Sequence, residues 1–352
     1  MIDFFIKVKQ QFHRNLPFVI YSKPNIDIVS GLFQKNNQLY FTADFNEKGF
    51  VFAPFDGKQI LLIPENESEL IEIEFSLNPI NKNFNSDVFV DEFAKNNFKN
   101  LVQKAIYAIE SGNINKVVLS REEIIGLPNF DLVSLFEKLV NSYPTAFTYC
   151  WFHPEIGLWM GATPERLLKA NGKEFQTVAL AGTQLFQNQE KVIWGNKEQI
   201  EQQFVTDYIL ETIKKRTSEV EISEPYTLKA GNLLHLKTDI KGNINVDASL
   251  KQLVLLLHPT PAVCGLPKTN AKVFITENEG YDRSFYAGFL GEINKNCGTD
   301  LFVNLRCMQI NLELEKIQAH LYIGCGITKD SNSENEWQET VNKAMTMKNI
   351  IL

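Results

Sequence analysis

Residues 146–170 read AFTYCWFHPEIGLWMGATPERLLKA, and this stretch decides the fold class. Two runs rich in aromatic and aliphatic residues, AFTYCWF and LWMGATPERLLKA, are separated by a short turn that contains proline and glycine. Runs of this length and composition, bounded by turn residues, are typical of strands. Because one strand follows another with no helix between them, the segment favours an α+β layer fold over a doubly wound one.

Strand-like runs recur along the rest of the chain. Strands are predicted for KVVLSREEII, LFVNLRCMQI and AHLYIGCGI, at residues 116–125, 301–310 and 319–327. Residues 1–95 alternate short apolar runs with Asn, Asp, Gly and Pro, which indicates strands joined by turns. Helices are predicted at residues 93–106, 130–143, 197–216 and from about 335 onward. If the chain has a boundary, the polar stretch INKNFNSD at 80–87 marks it.

The composition is that of an ordinary globular protein. Of the 352 residues, 44% are apolar and 22% are charged, so the chain can bury a large core. The net charge of −7 and the lack of a basic cluster argue against a nucleic-acid partner. The opening MIDFFIKVKQQFHRN lacks the apolar segment of a secretion signal, and the longest aliphatic run, Leu253 to Leu257, is far shorter than the ~20 residues of a membrane span. We therefore expect a cytoplasmic protein with no membrane contact.

Cysteine spacing and missing motifs narrow the chemistry further. The cysteines are odd in number and form no CxxC pair, which favours reduced, buried thiols and argues against a structural zinc site: Cys150, Cys264, Cys297, Cys307 and Cys325. The chain has no GxxxxGK[ST] loop, no GxGxxG after a strand, no HExxH and no GxSxG. Nucleotide binding is therefore not expected.

Two predicted helices carry carboxylates beside an apolar stripe. Glu201 borders the stripe of the helix at 197–216, which is predicted to contain Ile200, Phe204, Tyr208 and Ile209. On the last helix, Glu336, Glu339 and Lys343 share one face. Carboxylates on two helices could hold Mg²⁺, which prefers oxygen ligands. The alternatives are a solvated helix edge for Glu201 and a capping role for Glu336, because Ser333 with Glu336 and Ser331 with Glu334 fit capping boxes.

Two strand residues could supply further chemistry. Lys116 points to the same side of its strand as Val118, and within LFVNLRCMQI Arg306 is predicted to share a side with Phe302, Asn304 and Met308. A half-buried lysine can act as a base, and an arginine can grip a carboxylate with two parallel hydrogen bonds. The alternative is that both charges are solvated, as most strand charges are.

Taken together, blocks along the chain resemble the chorismate-utilising enzymes, the family of isochorismate, salicylate, anthranilate and aminodeoxychorismate synthases. The resemblance runs from about Lys116 to the C-terminus and rests on KVVLSRE, GATPERLL, TVALAGT, KEQIEQQFV, HLKT, LLHPTPAVCGLP, YDRSFYAGFLG, LFVNLR, YIGCGI and EWQETVNK. It implies one α+β domain with two large antiparallel sheets packed face to face, helices outside, and the site in a cleft between them. Residues 96–352 would be the motif-bearing catalytic core, and the divergent residues 1–95 would add strands to the same chorismate-binding domain.

The resemblance also implies catalytic roles. Lys116 stands where the ammonia-using members usually carry glutamine, so it would be the base that activates water. Glu165 of the GATPE block would be the general acid that protonates the departing C4 hydroxyl. Ala181 stands where the aminodeoxychorismate synthases carry a nucleophilic lysine, and alanine cannot form a covalent adduct.

Metal and substrate contacts are carried over in the same way. Glu201 and Glu339 would bind Mg²⁺, with Glu336 supporting it through water or from behind. The substrate contacts would come from two cations, a histidine and two glycines: Arg306, Lys343, His235, Gly182 and Gly324. The Gly324 to Gly326 turn would let the backbone approach the substrate closely.

Several positions depart from the family pattern or tempt a catalytic interpretation. Gln202 replaces the usual histidine and would orient Glu201, while Cys264 and Cys325 replace smaller residues. His258 is favoured as a structural hydrogen-bonding residue.

The activity implied is that of an isochorismate synthase, a stand-alone, Mg²⁺-dependent monomer without an amidotransferase subunit. Salicylate synthase is the nearest alternative, because it runs the same first step and Lys116 and Glu165 serve both. Anthranilate or aminodeoxychorismate synthase component I and a non-catalytic chorismate-binding homologue also stay open. The sequence does not say whether the product feeds menaquinone or a siderophore.

Overall fold

The computed structural model describes residues 2–77, 91–186, 192–230, 233–296, 298–312 and 316–352. The predicted boundary at 80–87 and Cys297 lie outside the described residues. The helices are α1 (Ile2–His13), α2 (Glu92–Glu110), α3 (Leu132–Ser142), α4 (Asn196–Ile213), α5 (Leu250–Leu257), α6 (Lys268–Asn278) and α7 (Ser333–Ile351). Among them no helix is both long enough and apolar enough to cross a membrane, within the ranges just given.

The strands are short to medium in length and outnumber the helices. They are β1 (Phe18–Ser22), β2 (Ile28–Gln34), β3 (Tyr40–Phe41), β4 (Gly49–Ala53), β5 (Leu61–Pro64), β6 (Ser68–Glu74), β7 (Lys116–Gly126), β8 (Phe147–His153), β9 (Gly157–Thr163), β10 (Arg166–Asn171), β11 (Glu174–Leu185), β12 (Thr217–Ile222), β13 (Tyr226–Ala230), β14 (Leu233–Ile244), β15 (Gly265–Leu266), β16 (Phe289–Lys295), β17 (Gly298–Val303), β18 (Cys307–Asn311) and β19 (Gln318–Ile327).

The strands form two antiparallel sheets. The first has the order β15-β7-β19-β18-β9-β8-β1-β2-β6, and the second has the order β12-β14-β11-β10-β17-β16-β4-β5-β3, with β13 also paired to β14. Aromatic rings of the two sheets meet face to face: Phe147 stacks on Phe302 at 4.4 Å, and Phe52 lies 4.8 Å from Trp151. The predicted α+β fold with two large antiparallel sheets packed face to face is therefore confirmed.

Helices cover the outer faces. The other face of the first sheet packs against α1, α3 and α7, where Phe4, Phe136 and Met347 share one buried cluster. On the second sheet, α4 packs against β11 and β14. Strands from residues 18–74 join both sheets. The prediction of only strands and turns in residues 1–95 is wrong for Ile2–His13, a helix that buries Phe4, Phe5 and Val8 at helical spacing.

Two of the points at which the chain passes from one sheet to the other are adjacent. One is Pro164 and Glu165, between β9 and β10, and the other follows β17 and ends at Arg306. The crossings are bonded together, because the Val303 amide donates to the Glu165 carbonyl at 2.9 Å and the Ala162 amide donates to the Arg306 carbonyl at 3.0 Å. Glu165 and Arg306 are thereby placed side by side between the sheets.

The second crossing corrects a prediction. LFVNLRCMQI is not one strand, because β17 ends at Val303 and β18 begins at Cys307 in the other sheet. Arg306 between them has a φ of 48°, which an extended strand does not allow. The predicted side shared by Arg306 with Phe302 and Met308 therefore does not exist.

Candidate active site

One cleft collects all but one of the residues that the sequence singled out for the site. It is lined by Lys116, Glu165, Gly182, Glu201, His235, Arg306, Gly324, Glu339 and Lys343, together with apolar and aromatic side chains. These residues come from both sheets, from the crossings between them and from α4 and α7. The exception is Glu336, which does not line the cleft.

Glu165 is a buried acid of the cleft with a raised pKa. Its side chain is only 6% exposed, and its backbone is fixed by the bond to Val303. Burial raises the pKa of Glu165 from 4.5 to about 7, against the opposing charges of Lys116, Lys343 and Arg306. A carboxyl group with this pKa is partly protonated near neutral pH and can donate a proton.

Lys116 begins β7 and is 2% exposed, so the interpretation of a solvated strand lysine is wrong. Its ammonium group donates to Glu201 Oε1 at 2.7 Å. Gly326 lies on the neighbouring strand, where an added Cβ would come within 3.2 Å of both side chains, so its missing side chain leaves room for this ion pair. Gly324 and Gly326 lie inside β19 and not in a turn, and an added Cβ at Gly324 would instead meet the Tyr286 hydroxyl.

The helix α4 presents Glu201 to the cleft at the border of its buried side, as predicted, but that buried side differs from the predicted apolar stripe. Its buried side chains are Gln202, Val205, Thr206, Ile209 and Ile213, while Ile200 and Phe204 are about half exposed. The predicted stripe through Ile200 and Phe204 is therefore wrong. The reason is that the helix is turned toward β11 and β14, where the Gln202 amide donates to the Ala179 carbonyl and the Thr238 hydroxyl, both at 3.0 Å.

These bonds use both amide hydrogens of Gln202. Gln202 therefore anchors α4 to the second sheet, and the prediction that it orients Glu201 through a hydrogen bond is wrong.

The helix α7 brings Glu339 and Lys343 to the same cleft. Glu339 Oε1 accepts from Lys343 Nζ at 2.6 Å, and Lys343 also donates to the Gly324 carbonyl at 3.0 Å. The predicted capping boxes are wrong, because the N-cap is Asn332, whose side chain accepts from the amides of residues 334 and 335. Glu336 is 3% exposed and accepts a hydrogen bond from the Cys325 thiol, behind the cleft wall.

The donor set can be tested for a cation. Glu201 and Glu339 reach one cleft from separate helices, and Mg²⁺ typically takes one or two protein carboxylates together with substrate and water. Within the part of the chain that the structure describes, no group of three or more His, Cys, Asp or Glu residues is arranged to hold a metal ion. Two carboxylates are the number of protein ligands that Mg²⁺ commonly takes, and Glu336, which does not line the cleft, is not placed to be a third direct ligand.

His235 and Gly182 form a neutral hydrogen-bonding pair. His235 Nδ1 lies 3.1 Å from the Gly182 carbonyl, so Nδ1 carries the proton. Burial, together with the positive charges of Arg306 and Lys343, lowers the pKa of His235 to about 3. The φ of Gly182 is 69°, where the β11 register shifts, and this conformation favours glycine. His235 is thus neutral at pH 7.

Arg306 is the cation nearest the crossings. Its Nη1 donates to the Thr346 hydroxyl at 3.0 Å, and burial lowers the pKa of Arg306 against the opposing charge of Glu339. Arginine stays protonated even so. It therefore offers a fixed positive charge inside the cleft.

The structure also places the two cysteines that depart from the family pattern, and His258. Cys264 is buried and does not line the cleft, whereas Cys325 does. His258 Nε2 lies 3.2 Å from the Phe55 carbonyl, and burial lowers the pKa of His258 to about 3, which confirms its structural role.

Sequence reasoning left two polar residues of the cleft without a role, Glu198 and Tyr286. The spacing of three between Glu198 and Glu201 was a usable signal, because it puts both on one face of α4. Tyr286 gave no signal of its own, because it lies in a run of mixed aromatic and polar residues.

Comparisons with known proteins identify the family of the chain. The family described as chorismate binding enzyme matches residues 58–352. Isochorismate synthase EntC of Escherichia coli K12 is 31% identical over 263 residues, covering 72% of this chain and 66% of the relative. Isochorismate synthase MenF of Bacillus subtilis 168 is 29% identical over 267 residues, covering 73% of this chain and 56% of the relative. The chain thus spans less than two thirds of the length of these curated relatives.

Solved structures share the fold. The menaquinone-specific isochorismate synthase MenF from Escherichia coli superposes with a TM-score of 0.79 at 22% identity, covering 96% of this chain and 89% of that chain. Anthranilate synthase component I from Streptococcus pneumoniae TIGR4 superposes with a TM-score of 0.68 at 18% identity, covering 95% of this chain and 90% of that chain. Together with the match to residues 58–352, these findings show that the chain belongs to the chorismate-binding enzyme family.

Proposed function

We propose that the protein is an isochorismate synthase, which reversibly converts chorismate to isochorismate by adding water at C2 and losing the C4 hydroxyl. The observation that carries the proposal is one cleft holding a buried lysine, Lys116, and a buried carboxyl group, Glu165, whose pKa is about 7. The isochorismate synthases among the relatives support it.

The two residues move one proton each. Lys116 takes a proton from the water that attacks C2, and Glu165 gives a proton to the C4 hydroxyl, which leaves as water. Lysine accepts a proton only when it is neutral, so its ion pair with Glu201 opens in the reacting state. One proton enters at Glu165 and one leaves from Lys116 in each turnover, and exchange with solvent restores both groups.

Positive charges and backbone groups hold the substrate. Arg306 and Lys343 bind the two carboxylates of chorismate, because both cations face the cleft. Gly182 and Gly324 let the backbone approach the ring closely, and neutral His235 offers its second ring nitrogen as a hydrogen-bond acceptor.

Glu201 and Glu339 would hold Mg²⁺, and Glu336 would support that site from behind Cys325. When bound, the ion would neutralise the ring carboxylate and fix the orientation of the substrate.

Two positions, 181 and 116, distinguish the proposed activity from the other activities of the family. Ala181 cannot form a covalent adduct with the ring, which argues against an aminodeoxychorismate synthase. A lysine at position 116 suits water as the nucleophile, so no amidotransferase subunit is needed to supply ammonia. We also propose that the chain acts as one chorismate-binding unit and as a monomer in the cytoplasm, with its catalytic residues within 96–352.

Product analysis tests the proposal. The purified protein is incubated with chorismate and Mg²⁺, and the products are separated by chromatography, with Glu165→Gln as the inactive control. Isochorismate is the expected product. Salicylate with pyruvate would instead assign a salicylate synthase, and aminated products formed with ammonia would assign an anthranilate-type activity. No conversion, with chorismate still bound, would indicate a homologue that only binds.

A further inference from the structure

One edge of β7 is completed by side chains in place of a strand. The two-residue strand β15 pairs only with the start of β7. Further along the same edge, the Val118 carbonyl accepts from Arg283 Nη2 at 2.6 Å, and the Ser120 amide donates to Glu279 Oε1 at 2.6 Å. In an antiparallel ladder, a neighbouring strand would supply this donor and this acceptor. Here Arg283 and Glu279 supply them.

The two side chains form a buried, doubly bonded ion pair. Arg283 Nε donates to Glu279 Oε2 at 2.8 Å, Arg283 Nη2 donates to Glu279 Oε1 at 2.5 Å, and the side chains are 2% and 1% exposed. Removing both charges from water is unfavourable unless their remaining donors and acceptors are also bonded. They are bonded to the backbone of the cleft wall, including the Val263 carbonyl at 2.9 Å. An apolar pair could fill the same space but could not form hydrogen bonds with the Val118 carbonyl and the Ser120 amide at this strand edge.

The pair lies directly behind the candidate active site. Val118 and Val263, whose carbonyls accept from Arg283, both line the cleft. Lys116 lies two residues before Val118 on the same face of β7, and the other edge of β7 pairs with the glycine-containing part of β19. The ion pair therefore fixes the free edge of the strand that carries the lysine.

We propose that Glu279 and Arg283 are positioning residues for Lys116, which they hold in place through the backbone of β7. The inference rests on the proposed function, in which Lys116 is the base. Neither residue lines the cleft. Their effect on the rate is therefore transmitted through Lys116 and disappears when Lys116 is absent.

A double-mutant cycle tests this coupling. Glu279→Gln leaves one carbonyl oxygen to serve both Arg283 and the Ser120 amide, so β7 shifts and kcat falls by about tenfold or more, as small displacements of a catalytic group do. In a Lys116→Gln background, the same change is expected to lower the residual kcat by less than about twofold, because coupled residues are not additive. Arg283→Lys is measured in the same cycle and is read in the same way if Glu279→Gln does not fold.

A matched control separates positioning from general stability. Glu292 is another buried glutamate bonded to cationic side chains, and it does not line the cleft. Glu292→Gln is expected to lower the melting temperature but to leave kcat within about twofold. Equal losses of kcat from Glu279→Gln with and without Lys116 would overturn the inference alone. A near-normal kcat in Lys116→Gln itself would overturn the proposed function and the inference together.

Discussion

Two buried glutamates, Glu165 and Glu292, lie between the same two sheets, and their pKa values are shifted in opposite directions. Glu165 is 6% exposed and Glu292 is 3% exposed, so both lose nearly all contact with water. The pKa of Glu165 is raised to about 7, whereas the pKa of Glu292 is lowered below 4.5. Burial acts in the same direction on both groups, so the difference comes from their neighbours.

Glu292 has direct partners and Glu165 has more distant ones. Burial raises the pKa of Glu292, but contacts with Lys23, Lys295 and the Tyr21 hydroxyl outweigh it. At Glu165, the charges of Lys116, Lys343 and Arg306 lower the pKa only through space and do not offset burial, and each of these cations is bonded to another group: Glu201, Glu339 and Thr346.

The bonding partners of the nearby cations decide whether a buried glutamate of this fold is ionised at neutral pH. Cations that bond a buried carboxylate directly keep it ionised and structural. Cations that are bonded to other carboxylates leave Glu165 able to hold a proton at neutral pH, as a general acid requires.

The largest expected effect comes from removing the acid. Glu165→Gln keeps the shape of the side chain but cannot donate an acidic proton, so kcat should fall by roughly 10³-fold, within the usual range for acid–base catalysis. Calorimetry should show that chorismate still binds, because the binding cations are unchanged. Normal turnover in this variant would mean that another residue is the acid.

Removing the lysine should have the next largest effect. Lys116→Gln deletes the base, and we expect a loss of roughly 10²-fold in isochorismate formation, measured by chromatography. It also removes a positive charge that lowers the pKa of Glu165, so this pKa should rise further. Lys116→Arg is the matched control, because it keeps the charge without a group that can act as a base. Full activity in either variant would contradict the proposed mechanism.

The pH dependence of kcat should report Glu165 and Lys116 together in the wild type. Glu165 acts when it is protonated, with a pKa of about 7, and Lys116 acts when it is neutral, so a rising pH removes one active form while it produces the other. The profile of kcat is therefore expected to be bell-shaped and to belong to the pair. Steady-state rates between pH 5 and pH 10 would show this profile, and a rate that only rises with pH across this range would contradict an acid that must be protonated.

The smallest effect on activity is expected at the other glutamate, where stability should change instead. Because the folded-state pKa of Glu292 is lowered, its ionised form contributes stability above the unfolded-state pKa, and this contribution is lost as the pH falls through the folded-state value. Glu292→Gln should therefore reduce the melting temperature most at pH 7 and progressively less below about pH 4.5. A reduction that does not depend on pH would show that the charge of Glu292 does not matter.

Local patterns predicted much of the fold. The helices Glu92–Glu110 and Leu132–Ser142 lie where apolar spacing placed them, because each packs one face on a sheet. The helix Leu250–Leu257 was not predicted, since a short aliphatic run has no periodicity that separates a buried helix from a buried strand.

Contacts between distant segments could not be predicted from local patterns. LFVNLRCMQI looks like one strand because apolar residues stand on both sides of Asn304. It breaks there because Asn304 exchanges backbone bonds of 2.8 and 2.9 Å with Ala287 and Gly288 just before β16, while the following β18 pairs with β9 and β19 of the other sheet. The placement of Arg306 beside Glu165 depends on this break.

The candidate site shows the same division. Resemblance to a family supplied Lys116, Glu165, Glu201 and Glu339, and all four line the cleft. The pairing of Lys116 with Glu201 could not be predicted, because it depends on how α4 is rotated on the second sheet. That rotation is fixed by a buried glutamine, which a hydrophobic pattern counts as polar and therefore exposed.

A direct titration of Glu165 tests the central claim. Protein labelled with carbon-13 at glutamate carboxyl groups is followed by NMR from pH 4 to pH 9, and the Glu165 signal is assigned by its absence in Glu165→Gln. The account predicts a midpoint at about 7. A midpoint near the ordinary value of 4.5 would contradict it, because Glu165 would then be ionised at neutral pH and unable to act as the acid.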